Sequence, residues 1–277
     1  MIPFKEIKSI VFSLNKSTLR HVLGKQRLRL SKDEITLYIH SVFKQNDLSI
    51  HFKCIYKKLY KRKLISIKYN TFMYHVQQCA KLFRLIFNKC NRLWCINKTR
   101  DFNIIDSTLL PTKDDSNIIK RDFLKNKVTV RKNKLTCGFK GLFLMNSKKQ
   151  FYYASLLDIN ISDANILKDS AYYEPLLAGK LLADRGFSNK TVRKRINDIP
   201  GVTLVSPYHY KIVEKTKLFL EDEYKDLYKL RWWIETGFQY LKSKRGKYKL
   251  DLSGNFSKNI LNAKFLISII IYNYDKR

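Results

Sequence analysis

The sequence predicts a mixed α/β domain over residues 99–277, preceded by a basic, mainly helical region over residues 1–98. In the first hundred residues, 22 lysines and arginines stand against four acids, and apolar side chains recur at helical three- and four-residue steps. Beyond residue 99, short apolar segments alternate with helical ones, in the order expected of a central sheet with helices packed on it.

Two segments of the basic region show the clearest helical signals. Ser31 and Glu34 match a capping box, in which the two side chains satisfy backbone N–H groups of the first helical turn. Residues 70–87 carry apolar side chains at helical steps. Such helices are compatible with a DNA-binding helix-turn-helix module, although no residue pattern specific to one is present. A basic cap that only packs on the second domain is the alternative.

The predicted elements of the α/β domain alternate between strands and helices. In chain order they are strand Phe102–Asp106, strands Leu135–Met145 and Phe151–Ile159, a helix from Ser162 toward Leu177, strand Gly179–Asp184, helix Ser188–Ile199, strand Val202–Ser206, helix Glu221–Lys244 and a buried C-terminal helix over Ala263–Tyr274. Ser162 and Ser188 are candidate N-caps of their helices.

The charge of the chain points to a polyanionic partner. It carries 55 lysines and arginines against 23 acids, a net charge of +32. Such a field favours nucleic acid as the first candidate. Biased codon usage would explain the preference for Lys over Arg, but it would not explain the shortage of acids.

Cysteine usage and hydropathy indicate a reducing compartment. The five cysteines include no Cys-x2-Cys pair, which predicts neither a disulfide framework nor a zinc site, but reduced and mostly buried thiols. The first residues lack the apolar run of a signal peptide, and the segment Ala263–Tyr274 is too short to cross a bilayer. We therefore expect a cytoplasmic protein with no membrane partner.

Three carboxylates stand where an α/β fold places catalytic groups. Asp106 and Asp184 each follow a predicted strand, and Glu235 lies on a predicted helix. Phosphodiester cleavage requires an activated water and a neutralised leaving oxygen, and two divalent cations held by carboxylates supply both. Mg²⁺ prefers such oxygen ligands, and the five histidines show no ligand spacing that would favour zinc.

The surroundings of Glu235 add cations and a phenol to the same helix face. Tyr228, Arg231, Glu235 and Lys242 follow the spacing Tyr-x2-Arg-x3-Glu-x6-Lys. At about 100° per residue, all four fall within about 60° of the tyrosine. An apolar stripe from Leu227 to Leu241 lies beside this polar stripe, so the helix can pack on the sheet and present Glu235 at the edge of the contact.

These residues resemble those of bacterial insertion-sequence transposases of the DDE class. The four-residue spacing, the Ile-Asp106-Ser-Thr segment and the Ala-Asp184-Arg-Gly-Phe segment are similar to the family's blocks, over roughly Asp101 to Tyr274. The resemblance implies a ribonuclease H-like mixed sheet flanked by helices. It implies that Asp106, Asp184 and Glu235 are catalytic and bind two Mg²⁺ ions, with Mn²⁺ able to substitute.

The same resemblance implies the partners. Tyr228, Arg231 and Lys242 would contact DNA phosphates beside the cut. The DNA partners would be terminal inverted repeats and target DNA, bound by a homodimer or larger assembly in the bacterial nucleoid. The separation of 51 positions between Asp184 and Glu235 leaves little room for the large β-rich insertion that some relatives carry there, which makes a hairpin excision route less supported.

Further basic residues are candidate phosphate contacts. Arg185 follows Asp184, and Arg193, Lys194 and Arg195 lie on the predicted helix Ser188–Ile199. Lys125–Lys134 and Lys242–Lys249 form two more basic segments. Solvated charge is the alternative for each, and Asp184–Arg185 could instead be a local ion pair. Trp232 or Trp233 could stack on an unpaired base, with core packing as the alternative.

The sequence therefore predicts a DNA transposase that cleaves element ends and transfers them to target DNA. Three alternatives remain open. They are a structure-specific nuclease on the ribonuclease H fold, a domesticated or inactive transposase that only binds DNA, and an RNA-binding structural protein, which would explain the charge but not the carboxylates.

Overall fold

The computed structural model describes residues 3–24, 30–48, 50–111, 128–131, 134–168, 176–187, 189–212, 215–219, 222–242 and 257–277. Its contacts divide the chain into a helical unit, Met1–Cys95 with Tyr240–Arg277, and a sheet unit, Ile96–Gln239. The predicted boundary between residues 98 and 99 stays a prediction, because a division by packing need not coincide with a division into domains.

The described helices of the helical unit are short except for two. In chain order they are α1 (Phe4–Phe12), α2 (Lys16–Leu23), α3 (Lys32–Leu48), α4 (Phe52–Lys61), α5 (Tyr69–Cys79), a 3-10 turn (Ala80–Leu82), α6 (Phe83–Leu93) and, near the C-terminus, α11 (Lys258–Asp275). The capping box is confirmed: the Ser31 N–H donates to Glu34 Oε2 over 2.7 Å, and the Glu34 N–H donates to Ser31 Oγ over 3.2 Å.

The core of the helical unit is apolar and aromatic. Phe43, Phe72, Phe83 and Phe87 are each at most 1% exposed. Helix α11 is buried along most of its length, as predicted, and includes the buried Lys264. In the described part of the chain, no helix is both long and apolar enough to cross a membrane.

The sheet unit is built on a mixed sheet. Its described strands are β1 (Phe102–Pro111), β2 (Val128–Arg131), β3 (Lys134–Asn146), β4 (Phe151–Asp158), β5 (Gly179–Ala183) and β6 (Val202–Val205). They pair in the order β2-β3-β1-β5-β6, with β4 also pairing with β3; β1, β5 and β6 are parallel, and β3 is antiparallel to β1 and β4. A hairpin followed by parallel strands is the arrangement of the ribonuclease H-like fold, which confirms the predicted fold class.

Strand β1 is longer than the sequence predicts. It continues past Asp106 to Pro111 because β3 pairs with it antiparallel along that whole stretch. On its other edge, the parallel pairing with β5 ends at Ile105–Ala183. Asp106 is therefore inside a strand rather than at its end, but it lies where the parallel neighbour ends.

Four described helices lie between or after these strands in the chain. They are α7 (Asp163–Lys168), α8 (Lys190–Asn197), α9 (Lys225–Lys229) and α10 (Trp232–Lys242). The Ser162 cap is confirmed, since Ser162 Oγ accepts from the Asn165 N–H over 3.3 Å. Helix α8 is capped by Asn189, whose Oδ1 accepts from the Val192 N–H over 2.8 Å; Ser188 lies outside the described residues.

The predicted single helix Glu221–Lys244 is wrong in one respect. A 3-10 turn (Asp222–Tyr224), α9 and α10 replace it. Between α9 and α10, the backbone N–H groups of residues 230, 231, 233 and 234 each donate to the carbonyl oxygen three residues earlier. The sequence also missed a two-stranded sheet before it, β7 (Tyr208–Ile212) with β8 (Lys215–Phe219). In the basic segment Lys242–Lys249, the residues after Lys242 lie outside the described residues, and so do the side chains of the basic segment Lys125–Lys134.

Candidate active site

Arg231 joins two of the predicted carboxylates. Its Nη1 donates to Asp106 Oδ2 over 3.0 Å, and its Nη2 donates to Glu235 Oε1 over 2.5 Å. Asp106 lies on β1 and Glu235 on the first turn of α10, so one guanidinium connects the sheet to the helix packed on it. A planar guanidinium suits this bridging geometry because its nitrogens diverge in fixed directions.

The third predicted carboxylate is a neighbour through strand register. Ile105 and Ala183 pair across β1 and β5, and Asp106 and Asp184 are the residues that follow them. Asp184 is exposed, and its Oδ1 accepts from the Arg185 N–H over 2.7 Å. The Asp184 charge is close enough to raise the pKa of Asp106. The three carboxylates predicted from the sequence thus surround one region of the sheet edge.

Burial dominates the electrostatics of Asp106. Burial raises its pKa to about 7; Arg231 and the Ser107 N–H oppose the rise, and Asp184 and Asp163 add to it. Burial lowers the pKa of Arg231, but the charges around it, those of Asp106, Tyr228, Glu235 and Asp184, raise it overall. The pKa of Asp106 is therefore raised chiefly by burial, whereas that of Arg231 is raised by the negative charges around it.

Tyr228 borders the same cluster. Its ring centroid lies 5.9 Å from the guanidinium carbon of Arg231. Burial raises the pKa of its phenol, Arg231 opposes the rise, and Asp184 and Asp106 add to it. Tyr228 and Arg231 therefore lie near both aspartates.

The donor set fits a divalent cation by chemistry. Carboxylate oxygens are the ligands that Mg²⁺ prefers, and the net negative charge around Asp106 is what such an ion would neutralise. Among the described residues, no three His, Cys, Asp or Glu side chains are gathered closely enough to hold a metal, and the Arg231 guanidinium lies between Asp106 and Glu235.

A fourth carboxylate, Asp163, is the site residue that sequence reasoning missed. Its Oδ1 accepts from Ser107 Oγ over 2.7 Å and from Lys140 Nζ over 3.1 Å. Because Asp163 lies in the first turn of a helix, its sequence position does not distinguish it from an acidic residue that only stabilises the helix N-terminus. The available signal was Gly186, whose missing side chain leaves room for the Asp163 carboxylate.

Helix α10 approaches the sheet closely at Gly237. A Cβ at this position would lie 2.8 Å from the Phe151 ring and 3.0 Å from the Met145 Cε. On the same helix, Ile234, Phe238 and Leu241 are buried, as the apolar stripe predicts. Glycine therefore permits the contact that presents Glu235 at the sheet edge.

The remaining predicted DNA contacts fall into two groups. Arg185, Lys194, Arg195 and Lys242 are exposed. Arg193 instead donates to the carbonyl oxygens of Leu204 and Ser206 at the end of β6. Ser206 Oγ in turn donates to the carbonyl oxygen of Asp184 over 3.1 Å, so this arginine supports the segment after β5.

The tryptophans beside Arg231 also differ. Trp232 is 55% exposed. Trp233 packs against Phe102, with ring centroids 5.6 Å apart, and Lys149 Nζ lies 4.2 Å from its ring centroid. Among the cysteines whose side chains are described, Cys79 and Cys90 are buried free thiols, and Cys54 and Cys95 are exposed free thiols.

Comparison with known proteins identifies the family. The sequence model of the family described as "Transposase DDE domain" matches residues 97–273, which is more than half of the chain. No curated protein matches the sequence. Transposases of this class act on DNA and generally use divalent metals. The fold and the family match lead to one conclusion: the chain belongs to the DDE transposase family.

Proposed function

We propose that this transposase cleaves DNA at the ends of its element and joins the resulting 3′ ends to target DNA, with Asp106, Asp184 and Glu235 as the catalytic carboxylates. The observation that carries the proposal is the bridge from Asp106 through Arg231 to Glu235, which brings residues from a central strand and a late helix to one place. A structural ion pair alone would not require a second aspartate at the adjacent strand end.

The metal requirement follows from the charge of the site. Asp106, Asp184 and Glu235 would hold Mg²⁺, as two ions, with Mn²⁺ able to substitute. The metal supplies an activated water and charge neutralisation at the scissile phosphate. Arg231 supplies positive charge between Asp106 and Glu235, which keeps these two carboxylates near each other.

Other residues of the chain hold the DNA. Tyr228 and Arg231 border the carboxylates and would orient the strand to be cut. Lys242, Arg185, Lys194 and Arg195 are exposed cations that would contact phosphates, whereas Arg193 supports the backbone near Asp184. The basic region 1–98 would bind terminal inverted repeats as part of a homodimer or larger assembly, in a nucleoid-associated cytoplasmic protein.

Glu235→Gln tests the proposal directly. The matched control is Glu223→Gln, which changes an exposed glutamate of the same segment. With DNA carrying the element's own ends and Mg²⁺, we expect Glu235→Gln to lower the single-turnover cleavage rate by on the order of 10³-fold, because a metal ligand is worth several kcal/mol. The control should cleave like the wild type. Unchanged cleavage by Glu235→Gln would show that the site is assigned wrongly.

A further inference from the structure

We propose that Asp163 is a positioning residue that ties together the two chain segments carrying Asp106 and Asp184. The inference rests on the proposed function, since it concerns the alignment of the two aspartates for DNA cleavage. Asp163 lies at the start of α7 and reaches both segments, although it is distant from each in sequence.

The first contact is with the residue after Asp106. Ser107 Oγ donates to Asp163 Oδ1 over 2.7 Å, while the Ser107 N–H donates to Asp106 Oδ1 over 2.7 Å. Ser107 thus contacts one carboxylate through its backbone and the other through its hydroxyl. A change at Asp163 is transmitted to the peptide unit that orients Asp106.

The second contact is with the turn after Asp184. A Cβ on Gly186 would lie 2.9 Å from Asp163 Oδ2, closer than real Cβ contacts allow. Gly186 is not among the described glycines with positive φ, so a Cβ at this position would act through its approach to the Asp163 carboxylate rather than through backbone strain. The Asp163 carboxylate therefore rests against the 3-10 turn Arg185–Phe187, which begins directly after Asp184.

Lys140 holds the carboxylate in this place. Its Nζ donates to Asp163 Oδ1 over 3.1 Å and to the Ile161 carbonyl oxygen over 2.5 Å. The side chains of Lys140 and Asp163 are 12% and 28% exposed. A largely buried, doubly anchored lysine restricts the rotamers of Asp163, as support from surrounding residues must for a precise site.

Asp163 acts through these neighbours rather than on the reacting atoms. Successive residues of a strand point to opposite faces of the sheet. Asp106 contacts Arg231 before α10, and Ser107, the next residue, contacts Asp163 at the start of α7. Asp163 Oδ1 accepts hydrogen bonds from Ser107 and Lys140, and a Cβ on Gly186 would lie 2.9 Å from Oδ2.

The first experiment compares Asp163→Ala with Asp163→Asn, using Asp198→Ala as the control at an exposed aspartate of the same unit. We expect Asp163→Ala to lower the single-turnover cleavage rate about 10- to 100-fold, the usual cost of losing a residue that orients a metal ligand. Asp163→Asn, which still accepts a hydrogen bond from Ser107, should remain within about threefold of the wild type. The DNA concentration at half saturation should not change in either variant.

The second experiment needs no activity. Gly186→Ala should lower the Tm of the otherwise wild-type chain, and it should lower the Tm of an Asp163→Ala background less, because the carboxylate that it meets has been removed. Equal Tm losses in the two backgrounds would overturn the contact with Gly186.

The outcomes separate this inference from the proposed function. Wild-type protein that does not cleave DNA would overturn the proposed function, and the Tm comparison would still decide the contact. A wild-type cleavage rate in Asp163→Ala would overturn the inference alone. An Asp163→Asn variant as slow as Asp163→Ala would also overturn it, since the hydrogen bond from Ser107 would then not be what matters.

Discussion

The helical unit and the sheet unit both bury apolar side chains, but they differ in the charged groups that lie close to their interiors. In the helical unit, aromatic and aliphatic residues fill the interior, and the cations of α4 lie outside. In the sheet unit, charged side chains also lie buried or half-buried around Asp106, among them Arg231, Lys140 and Asp163. Apolar burial stabilises a fold, whereas desolvated charge destabilises it and strengthens electrostatic interactions with a ligand. The two units therefore share an apolar interior and differ in the cluster of charges at the candidate site of the sheet unit.

The strongest way to sharpen this contrast is Asp106→Asn, which should change activity and stability in opposite directions. We expect Mg²⁺-dependent cleavage to fall by on the order of 10³-fold, because a metal ligand is lost. In EDTA at pH 8, the Tm should rise by at least about 2 °C, because burial raises the pKa of Asp106 to about 7 and the ionised carboxylate therefore destabilises the fold. Thermal unfolding and a cleavage assay check both halves; a lower Tm would contradict the second.

In the helical unit, Phe265→Ala should produce the largest loss of stability. Phe265 of α11 is 0% exposed, so removing its ring leaves a cavity that costs about 3–5 kcal/mol of unfolding free energy. Leu93→Ala, at a side chain 54% exposed in the same unit, is the control and should change the unfolding free energy by less than about 0.5 kcal/mol. Urea denaturation measures both, and similar losses would refute the assignment of the core.

Gly237→Ala should have two opposing effects on stability: it favours the helical conformation of α10, and it crowds the contact between α10 and the sheet. Alanine favours a helix interior by about 1 kcal/mol over glycine. Here the added methyl group would meet Phe151 and Met145 within 3.0 Å, and overpacking costs about 1–3 kcal/mol. We expect a net loss of stability and slower cleavage, because Glu235 lies on the same turn. Adding Phe151→Leu should recover part of the lost Tm. If the Gly237→Ala chain is instead more stable than the wild type, the gain in helix propensity exceeds the cost of crowding.

The smallest expected effect is a difference in pH dependence between the two units. Burial, followed by the charge of Lys44, lowers the pKa of His40 from 6.5 to about 4. The unfolded chain binds the proton more readily, so the contribution of neutral His40 is present above pH 6.5 and is lost as the pH falls toward 4. Because the ring is only partly buried, we expect the effect to stay below about 1 kcal/mol.

Asp106 should show the reverse slope. Its folded pKa of about 7 lies above its ordinary value of 3.8, so the folded state holds the proton more tightly and stability falls as the pH rises from 3.8 to 7. Over about pH 4–7, His40→Gln removes a contribution to stability that rises with pH and Asp106→Asn removes one that falls with pH. Urea denaturation in EDTA should therefore show stability rising less with pH in His40→Gln than in the wild type, and rising more in Asp106→Asn. Identical pH profiles for both variants would remove this distinction between the units.

Much of the sheet unit could be predicted because its signals are local. Apolar runs of strand length placed β3, β4, β5 and β6 close to their observed bounds, and the apolar stripe of α10 identified its buried face. Helix caps were predictable only where one residue qualified. Ser31 and Ser162 behave as expected; α8 is capped by Asn189, and the predicted cap Ser188 lies outside the described residues.

Long-range partners were not predictable from local pattern. The continuation of β1 past Asp106 depends on pairing with β3, and the hairpin of β7 and β8 depends on cross-strand contacts rather than on composition. Arg193 looked like its exposed neighbours Lys194 and Arg195, yet it is committed to backbone carbonyl groups at the end of β6. A basic helix does not reveal from sequence which of its cations faces the sheet.

The sequence by itself determined the mixed α/β class, the spacing of Tyr228, Arg231 and Glu235, and the identity of the two aspartates, because strand and helix periodicities are properties of the local chain. Only the tertiary structure decided that Arg231 bridges Asp106 and Glu235, that Asp163 joins them as a fourth carboxylate, and that Gly237 and Gly186 are needed for space. These features depend on distances between residues far apart in sequence, which packing and strand pairing set together.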